Sequence, residues 1–116
     1  MNASGLSATV MWALFPLAAC APEPLAVRTS QSQTLRLAVG QELDVTLQTV
    51  GPGEYESPPL VSSSALRFLN VALISPYVPA GPTQQFRFKG EALGQAIVVF
   101  QHSGNNPAVS DTVNVY

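Results

Sequence analysis

The sequence predicts an all-β protein whose folded part is a small antiparallel β-sandwich. Apolar and polar residues alternate through most of the chain after residue 34, which is the two-residue period of a strand. Segments rich in glycine and proline interrupt this alternation three times. No segment after residue 20 shows a convincing apolar period of an amphipathic helix, although the mixed period of residues 65–74 also allows a helical turn. Together these patterns predict short strands joined by turns.

The first two strands are predicted within "TLRLAVGQELDVTLQTV", residues 34–50. The alternation pauses at Gly40 and then resumes, which divides the segment into two strands. The side chains expected to face the core are those of Leu35, Leu37, Val39, Leu43, Val45 and Leu47.

The remaining strands lie between three glycine- and proline-containing loops at residues 51–59, 75–83 and 102–109. Residues 65–74, 85–90, 95–101 and 110–116 are the predicted strands. Within them, Phe86, Phe88, Val113 and Val115 are expected to face inward. The continuous apolar run "QAIVVFQ" at 95–101 predicts a central strand covered on both faces.

Six or seven such strands in one short domain favour a β-sandwich of the immunoglobulin-like kind. The disulfide of antibody domains is absent, because the chain has one cysteine, Cys20. Packing must therefore stabilise the fold without a disulfide.

The N-terminus has the features of an export signal. Residues 8–19, "ATVMWALFPLAA", form an apolar block too short to span a bilayer as a helix. Its length suits the core of a secretory signal. The following Leu17-Ala18-Ala19-Cys20 resembles the lipobox of bacterial lipoprotein precursors. That resemblance implies cleavage before Cys20 and acylation of its thiol.

This interpretation divides the chain into a signal peptide at 1–19, a lipidated cysteine with a flexible tether at 20–33, and a domain at 34–116. We therefore expect an exported protein anchored to a bacterial membrane, in the periplasm or at the outer membrane or cell surface. Ala21 follows the cysteine where an aspartate would resemble an inner-membrane retention signal, which favours the outer membrane.

Composition and spacing argue against several classes of function. A formal net charge of −2 provides no basic surface for nucleic acid. His102, Asp111 and a serine could form a triad on paper, but no GxSxG turn presents the nucleophile. One histidine and one cysteine are too few for a typical metal site. Glu54 and Glu56 are expected to lie in a solvated loop and not to act as a catalytic acid–base pair. We expect no enzymatic activity, no metal and no cofactor.

Binding of a protein partner by the loops is the function that remains. Loops on a rigid sandwich present fixed surfaces, and proline lowers the entropy cost of ordering them. The same residues also suit turns that only connect strands. The candidate partner-binding residues are Gly51, Pro52, Gly53, Glu54, Tyr55, Ala80, Gly81, Pro82, Thr83, Gly104, Asn105, Asn106 and Pro107.

From about Leu35 to Tyr116, the order of these features resembles the chagasin-like inhibitors of papain-type cysteine proteases. "LAVGQELDVTL" is similar to the opening strands of that family, and "GEALGQAIVVF" to a later strand, turn and strand. Three loops carry inhibition in the family. Its Asn-Pro-Thr-Thr-Gly-Tyr loop corresponds here to "TVGPGEY", its Gly-x-Gly-Gly loop to "PAGPTQQFRF", and its Arg-Pro-aromatic loop to "HSGNNPAV". The Thr-Thr pair, which enters the protease cleft in the family, and the aromatic residue are replaced.

Three hypotheses follow from the sequence. The leading one is a lipid-anchored, non-enzymatic envelope domain that binds a protein partner through its Gly/Pro loops. The second is a chagasin-type inhibitor of papain-like cysteine proteases with divergent loops. The third is a structural subunit of an envelope assembly, joined by pairing of edge strands.

Overall fold

The computed structural model describes residues 22–28, 30–75 and 81–116. The predicted signal peptide, Cys20 and Ala80 lie outside these residues. In the described part, eight strands form the fold: β1 Leu25–Val27, β2 Thr34–Leu37, β3 Glu42–Gln48, β4 Leu60–Val61, β5 Leu66–Ser75, β6 Thr83–Gly90, β7 Gly94–Phe100 and β8 Val109–Val115. No helix in the described segments is long and apolar enough to cross a membrane.

The strands are arranged in two four-stranded sheets. Sheet 1 has the order β1-β3-β6-β5, and sheet 2 has the order β2-β8-β7-β4. The inner pairs are antiparallel, whereas the edge strands β1 and β2 run parallel to β3 and β8. The predicted all-β sandwich is confirmed. The two parallel edge pairs were not predicted, because alternation reveals which face of a strand is buried and not the direction of its partner.

The core lies between the two sheets and consists of the inward-facing residues of each strand. As predicted, Phe86, Phe88, Val113 and Val115 are buried there. The ring of Phe100 from sheet 2 lies 5.1 Å from that of Phe86 and 6.0 Å from that of Phe88, between ring centroids. These edge-to-face contacts join the two sheets across the core.

Strand β7 corrects one prediction. Ala96, Val98 and Phe100 are buried, but Ile97 on the other face is 40% exposed. The apolar run at 95–101 is therefore an inner strand of sheet 2 with one face covered, and the prediction of two covered faces is wrong. The described residues place a second layer on only one side of this sheet.

Val39 corrects a second prediction. Its side chain is 45% exposed, because β2 ends at Leu37 before Val39 is reached. The chain then turns, with Gln41 N donating to Ala38 O at 3.0 Å and Gly40 adopting a φ of 89°. The turn begins earlier than the alternation indicated.

The predicted tether is wrong for residues 25–27. Leu25 pairs with Leu43 and Val27 with Val45, and both side chains pack against the core. Upstream of them, the backbone oxygen of Glu23 accepts a hydrogen bond of 2.8 Å from Gln41 Nε2. A strand of three residues is too short to show a period, so the sequence did not reveal it.

Candidate protein-binding surface at the loop end

The three glycine- and proline-containing loops lie together at one end of the sandwich, which we call the loop end. Loop 1 (49–59) connects β3 to β4, loop 2 (76–82, described at 81–82) connects β5 to β6, and loop 3 (101–108) connects β7 to β8. Loop 1 contacts both others: Thr49 N donates to Pro82 O at 2.9 Å, and Glu56 N donates to Gln101 O at 2.7 Å. The turns at 38–41 and 91–93 lie at the opposite end.

Two side-chain amides hold the backbone of loop 1. Asn106 Oδ1 accepts from Val50 N at 2.8 Å, and Asn106 Nδ2 donates to Val50 O at 2.7 Å. Gln84 does the same further along, accepting from Tyr55 N at 2.8 Å and donating to Tyr55 O at 3.0 Å. Each amide reproduces the pair of hydrogen bonds that a neighbouring strand would make. Loop 1 is therefore fixed at both ends of residues 51–54.

Loop 3 adds a short ladder of hydrogen bonds to loop 1. Ser103 N donates to Glu54 O at 2.9 Å, and Glu54 N donates to Ser103 Oγ at 3.0 Å. Tyr55 and His102 form an isolated antiparallel bridge beside them. Loops 1 and 3 are thus joined along most of their length.

Glycine at 104 permits the two loops to approach each other. A Cβ atom at this position would lie 2.3 Å from Pro52 O, closer than any real contact. A Cβ at Gly53 would lie 2.8 Å from Gly104 N, and Gly53 also has a φ of 101°. The backbones of loops 1 and 3 touch here, so no side chain can separate them.

Loop 2 approaches loop 1 from the other side. Gln48 Nε2 donates to Gly81 O at 2.9 Å, and Gln48 Oε1 accepts from the hydroxyl of Thr83. Gly81 has a φ of 127°, and a Cβ there would lie 2.8 Å from both Thr49 O and Gly51 O. Loop 1 therefore lies between the other two loops and is fastened to both.

Tyr55 is buried and does not belong to the outer surface. Its side chain is 1% exposed, and its ring packs edge-on against His102 with 4.7 Å between the centroids. Burial raises the pKa of the Tyr55 hydroxyl above its ordinary value, and a hydrogen bond with Ser30 lowers it by less. In the free chain the side chain of Tyr55 therefore offers almost no surface to a partner. Tyr55 instead anchors loop 1 in the core.

The single histidine organises the loops. Gly104 N donates to His102 Nδ1 at 2.8 Å, so the neutral ring carries its proton on Nε2. That nitrogen lies 3.1 Å from Thr49 Oγ1, to which it can donate. The imidazole therefore joins loop 3 to the start of loop 1, and both ring nitrogens are used in doing so.

Asp111 lies elsewhere in the core and forms no pair with His102. Asp111 Oδ1 accepts from Gln33 N at 3.3 Å, and Oδ2 has no hydrogen-bond partner among the described residues. Burial raises the pKa of Asp111 to about 6, and the hydrogen bond from Gln33 N lowers it by less. Within the described segments no cluster of His, Cys, Asp and Glu could hold a metal ion.

A shallow cleft of about 400 Å³ opens beside loop 1 at the loop end. Val50 and Pro107 provide apolar walls, and the amides of Gln48, Asn105 and Asn106 provide polar ones. Ser30 and Tyr55 close its remaining side. The loop end therefore has both a projecting loop and a recess next to it.

The structure brings the predicted loop residues together, with different exposures. Those exposed are Pro52, Gly53, Glu54, Gly104, Asn105 and Pro107, and those half-buried are Gly51, Gly81, Pro82, Thr83 and Asn106. Thr83 is the first residue of β6. Ala80 lies outside the described residues.

Sequence reasoning missed Gln84 and Val50. Gln84 occupies an inward position two residues before Phe86, so a polar residue in the buried register was the available signal. Val50 appeared to end the alternation of β3, yet it is 67% exposed at the loop end. Its backbone is held by Asn106, which is distant in the sequence, and no local pattern reveals that contact.

Comparison with known proteins shows a likeness of fold. No protein-family model matches the sequence, and no curated protein matches it significantly. The cysteine protease inhibitor EhICP2 of Entamoeba histolytica superposes with a TM-score of 0.64 at 8% identity, over 81% of this chain and 96% of that one. Amebosin superposes with a TM-score of 0.56 at 17% identity, over 83% and 100%.

A third structure, PbICP-C in complex with falcipain-2, has 15% identity over 81% of this chain and 98% of that one. Its TM-score of 0.32 is too low to indicate a common fold. The likeness to EhICP2 and Amebosin supports the chagasin-like fold predicted from the sequence.

Proposed function

We propose that this protein is a non-enzymatic inhibitor of papain-type cysteine proteases that acts by placing its loop end in the active-site cleft of the protease. Of the three hypotheses drawn from the sequence, the inhibitor has the best support. A cysteine protease inhibitor, EhICP2, shares the fold, and three loops of this chain converge at one end of the sandwich.

The position of loop 1 is the observation that carries the proposal. Residues 51–54 stand between loops 2 and 3, held by the amides of Asn106 and Gln84 and by Ser103. A loop fixed before binding loses little conformational entropy when it meets a protease. Pre-organisation of this kind is what an inhibitor of a narrow cleft requires.

Occlusion is the mode of inhibition that these residues support. The exposed tip consists of Pro52, Gly53 and Glu54, which include no electrophilic side chain that a catalytic thiolate could attack. Contacts with loop 3 restrain the backbone at Pro52 and Glu54, which opposes the distortion that peptide cleavage needs. The chain therefore blocks access to the cleft and is not itself consumed.

Membrane anchoring through Cys20 is a second part of the proposal. The support is Leu17-Ala18-Ala19-Cys20 after an apolar segment of signal length. Two or more acyl chains on the cysteine give a stable anchor. The inhibitor then works outside the cytoplasm, in the periplasm or at the outer surface. The mass of the mature N-terminus from a bacterial host tests this, and a chain that keeps Met1 and a free Cys20 thiol would contradict it.

Titration of papain with the purified full chain tests the inhibitor proposal. We expect residual activity on a small peptide substrate to fall linearly to zero at one equivalent of chain. Trypsin, a serine protease, is the control and should retain its activity. Full papain activity in excess chain would contradict the proposal and leave a protein binder of another kind.

A further inference from the structure

Val50 differs in chemistry from its neighbours at the loop end. It is the one branched aliphatic residue among the described residues of loops 1, 2 and 3, and its side chain is 67% exposed. Burial of an exposed aliphatic side chain against another apolar surface lowers the free energy, because it removes apolar area from water. The residues that the structure describes leave most of the Val50 side chain uncovered.

The backbone of Val50 is unavailable to a partner. Its N–H and its carbonyl are both occupied by the amide of Asn106, at 2.8 and 2.7 Å. A protease cannot pair a strand with this residue without breaking both bonds. Val50 can therefore contribute to binding only through its side chain, whose position Asn106 fixes.

The surroundings of Val50 suit entry into a pocket. The cleft of about 400 Å³ lies beside Val50. When the Val50 side chain enters a pocket of a partner, the residues around that pocket can fit into this cleft. The cleft is lined by uncharged residues, among them Asn105, Asn106 and Pro107. Burial of Val50 in a complex thus desolvates no charge of the cleft, which avoids the large penalty that an unpaired buried charge would carry.

We propose that Val50 is the anchor of the interface, entering an apolar pocket next to the catalytic cysteine of the protease, and that Asn106 is its positioning residue. This inference rests on the proposed function. It assigns the specificity of the inhibitor to an aliphatic side chain at the edge of loop 1. The preferred proteases are then those whose clefts contain a pocket of the size of a valine side chain.

Inhibition constants of Val50 variants against papain test the anchor. Val50→Ala should weaken inhibition about tenfold or more, the range found for one methylene group in an apolar pocket. Val50→Asp should weaken it further, because a carboxylate would be buried without a partner. The matched control is Val39→Asp, at a valine that is 45% exposed at the opposite end of the sandwich. It should inhibit like the wild type.

Asn106→Asp tests the positioning role through pH. At pH 7 the carboxylate can accept from Val50 N but repels Val50 O, so we expect inhibition about tenfold weaker than wild type, as for one lost hydrogen bond. At pH 4 about half of the carboxyls are protonated and can donate to Val50 O again, so inhibition relative to wild type at the same pH should recover in part. Asn70→Asp makes the same charge change at an exposed position of β5, away from loops 1 and 3, and should inhibit like the wild type at both pH values.

The outcomes separate the two proposals. If wild type fails to inhibit papain, the proposed function is wrong, and this inference falls with it. If wild type inhibits and Val50→Asp inhibits equally well, the anchor is wrong while the inhibitor proposal stands. A defect of Asn106→Asp that is equal at both pH values would overturn the positioning role. Melting curves of each variant exclude unfolding as the cause.

Discussion

The side-chain amide of Gln84 occupies both backbone hydrogen-bonding groups of Tyr55, accepting from its N–H at 2.8 Å and donating to its carbonyl at 3.0 Å. Both residues are buried, so water cannot replace either bond. Gln84, a residue of β6, thereby fixes the base of loop 1. The same contact contributes both to the stability of the fold and to the shape of the binding surface.

Gln84→Ala should destabilise the domain strongly. It leaves the N–H and the carbonyl of Tyr55 buried without partners, at about 1–3 kcal/mol for each unsatisfied group. Urea denaturation measures the free energy of unfolding. Gln85→Ala, one residue along the same strand on its half-buried outer face, is the control and should cost less than about 0.5 kcal/mol, as surface substitutions do. Equal losses in the two variants would contradict the role of Gln84.

Gly104→Ala should separate loops 1 and 3. The new Cβ would meet Pro52 O at 2.3 Å, a contact with backbone that no rotamer can relieve. We expect a loss of stability of about 1–3 kcal/mol, typical of overpacking, and weaker inhibition of papain. Asn105→Ala, at an exposed position in the same loop, should retain the stability of wild type. A Gly104→Ala variant that melts and inhibits like wild type would refute the backbone contact.

Asp111 should make the stability of the fold depend on pH. Its pKa in the folded protein is raised to about 6 from 3.8, so the folded state holds the proton more tightly than the unfolded state. The resulting stabilisation is complete below pH 4 and is lost as the pH rises through 6. A shift of this size corresponds to a ceiling of about 3 kcal/mol.

Asp111→Asn is the variant that isolates this effect. Its stability relative to wild type should rise between pH 4 and pH 8, as measured by urea denaturation at each pH. Thr112→Ala, on the same strand and without a titrating side chain, serves as the control and should differ from wild type by the same amount at every pH. A difference between Asp111→Asn and wild type that is constant with pH would show that Asp111 is not destabilised by its burial.

His102→Asn should preserve more of the loop end than His102→Ala. The asparagine oxygen can accept from the backbone N–H two residues on, as His102 Nδ1 accepts from Gly104 N at 2.8 Å. Neither variant keeps the contact of Nε2 with Thr49 Oγ1 or the ring contact with Tyr55. Both should therefore melt below wild type, with His102→Ala lower. The reverse order would argue against the bond to Gly104.

The sequence predicted those features that depend on local alternation. The buried rows of β3, β6 and β8 and the positions of the three loops follow from strand period and from glycine and proline. It failed at β1, where three residues are too few to show a period, and at Ile97, where an apolar run concealed an exposed face. Apolar composition alone does not determine how many layers cover a strand.

The candidate site was less predictable than the fold because long-range contacts define it. The hydrogen bonds between Val50 and Asn106 link residues 56 positions apart. Composition identified the loops, but it could not separate Tyr55, which is buried, from Val50, which is exposed. That distinction arises only when the two sheets bring loops 1 and 3 together.

Hydrogen–deuterium exchange of the full chain with and without papain tests the central claim most directly. The account predicts slower exchange on binding at residues 50–54 and 103–106, with no change in the turns at 38–41 and 91–93 of the opposite end. Protection confined to the edge strand β5, or to the turns of the opposite end, would contradict a binding surface formed by the three loops.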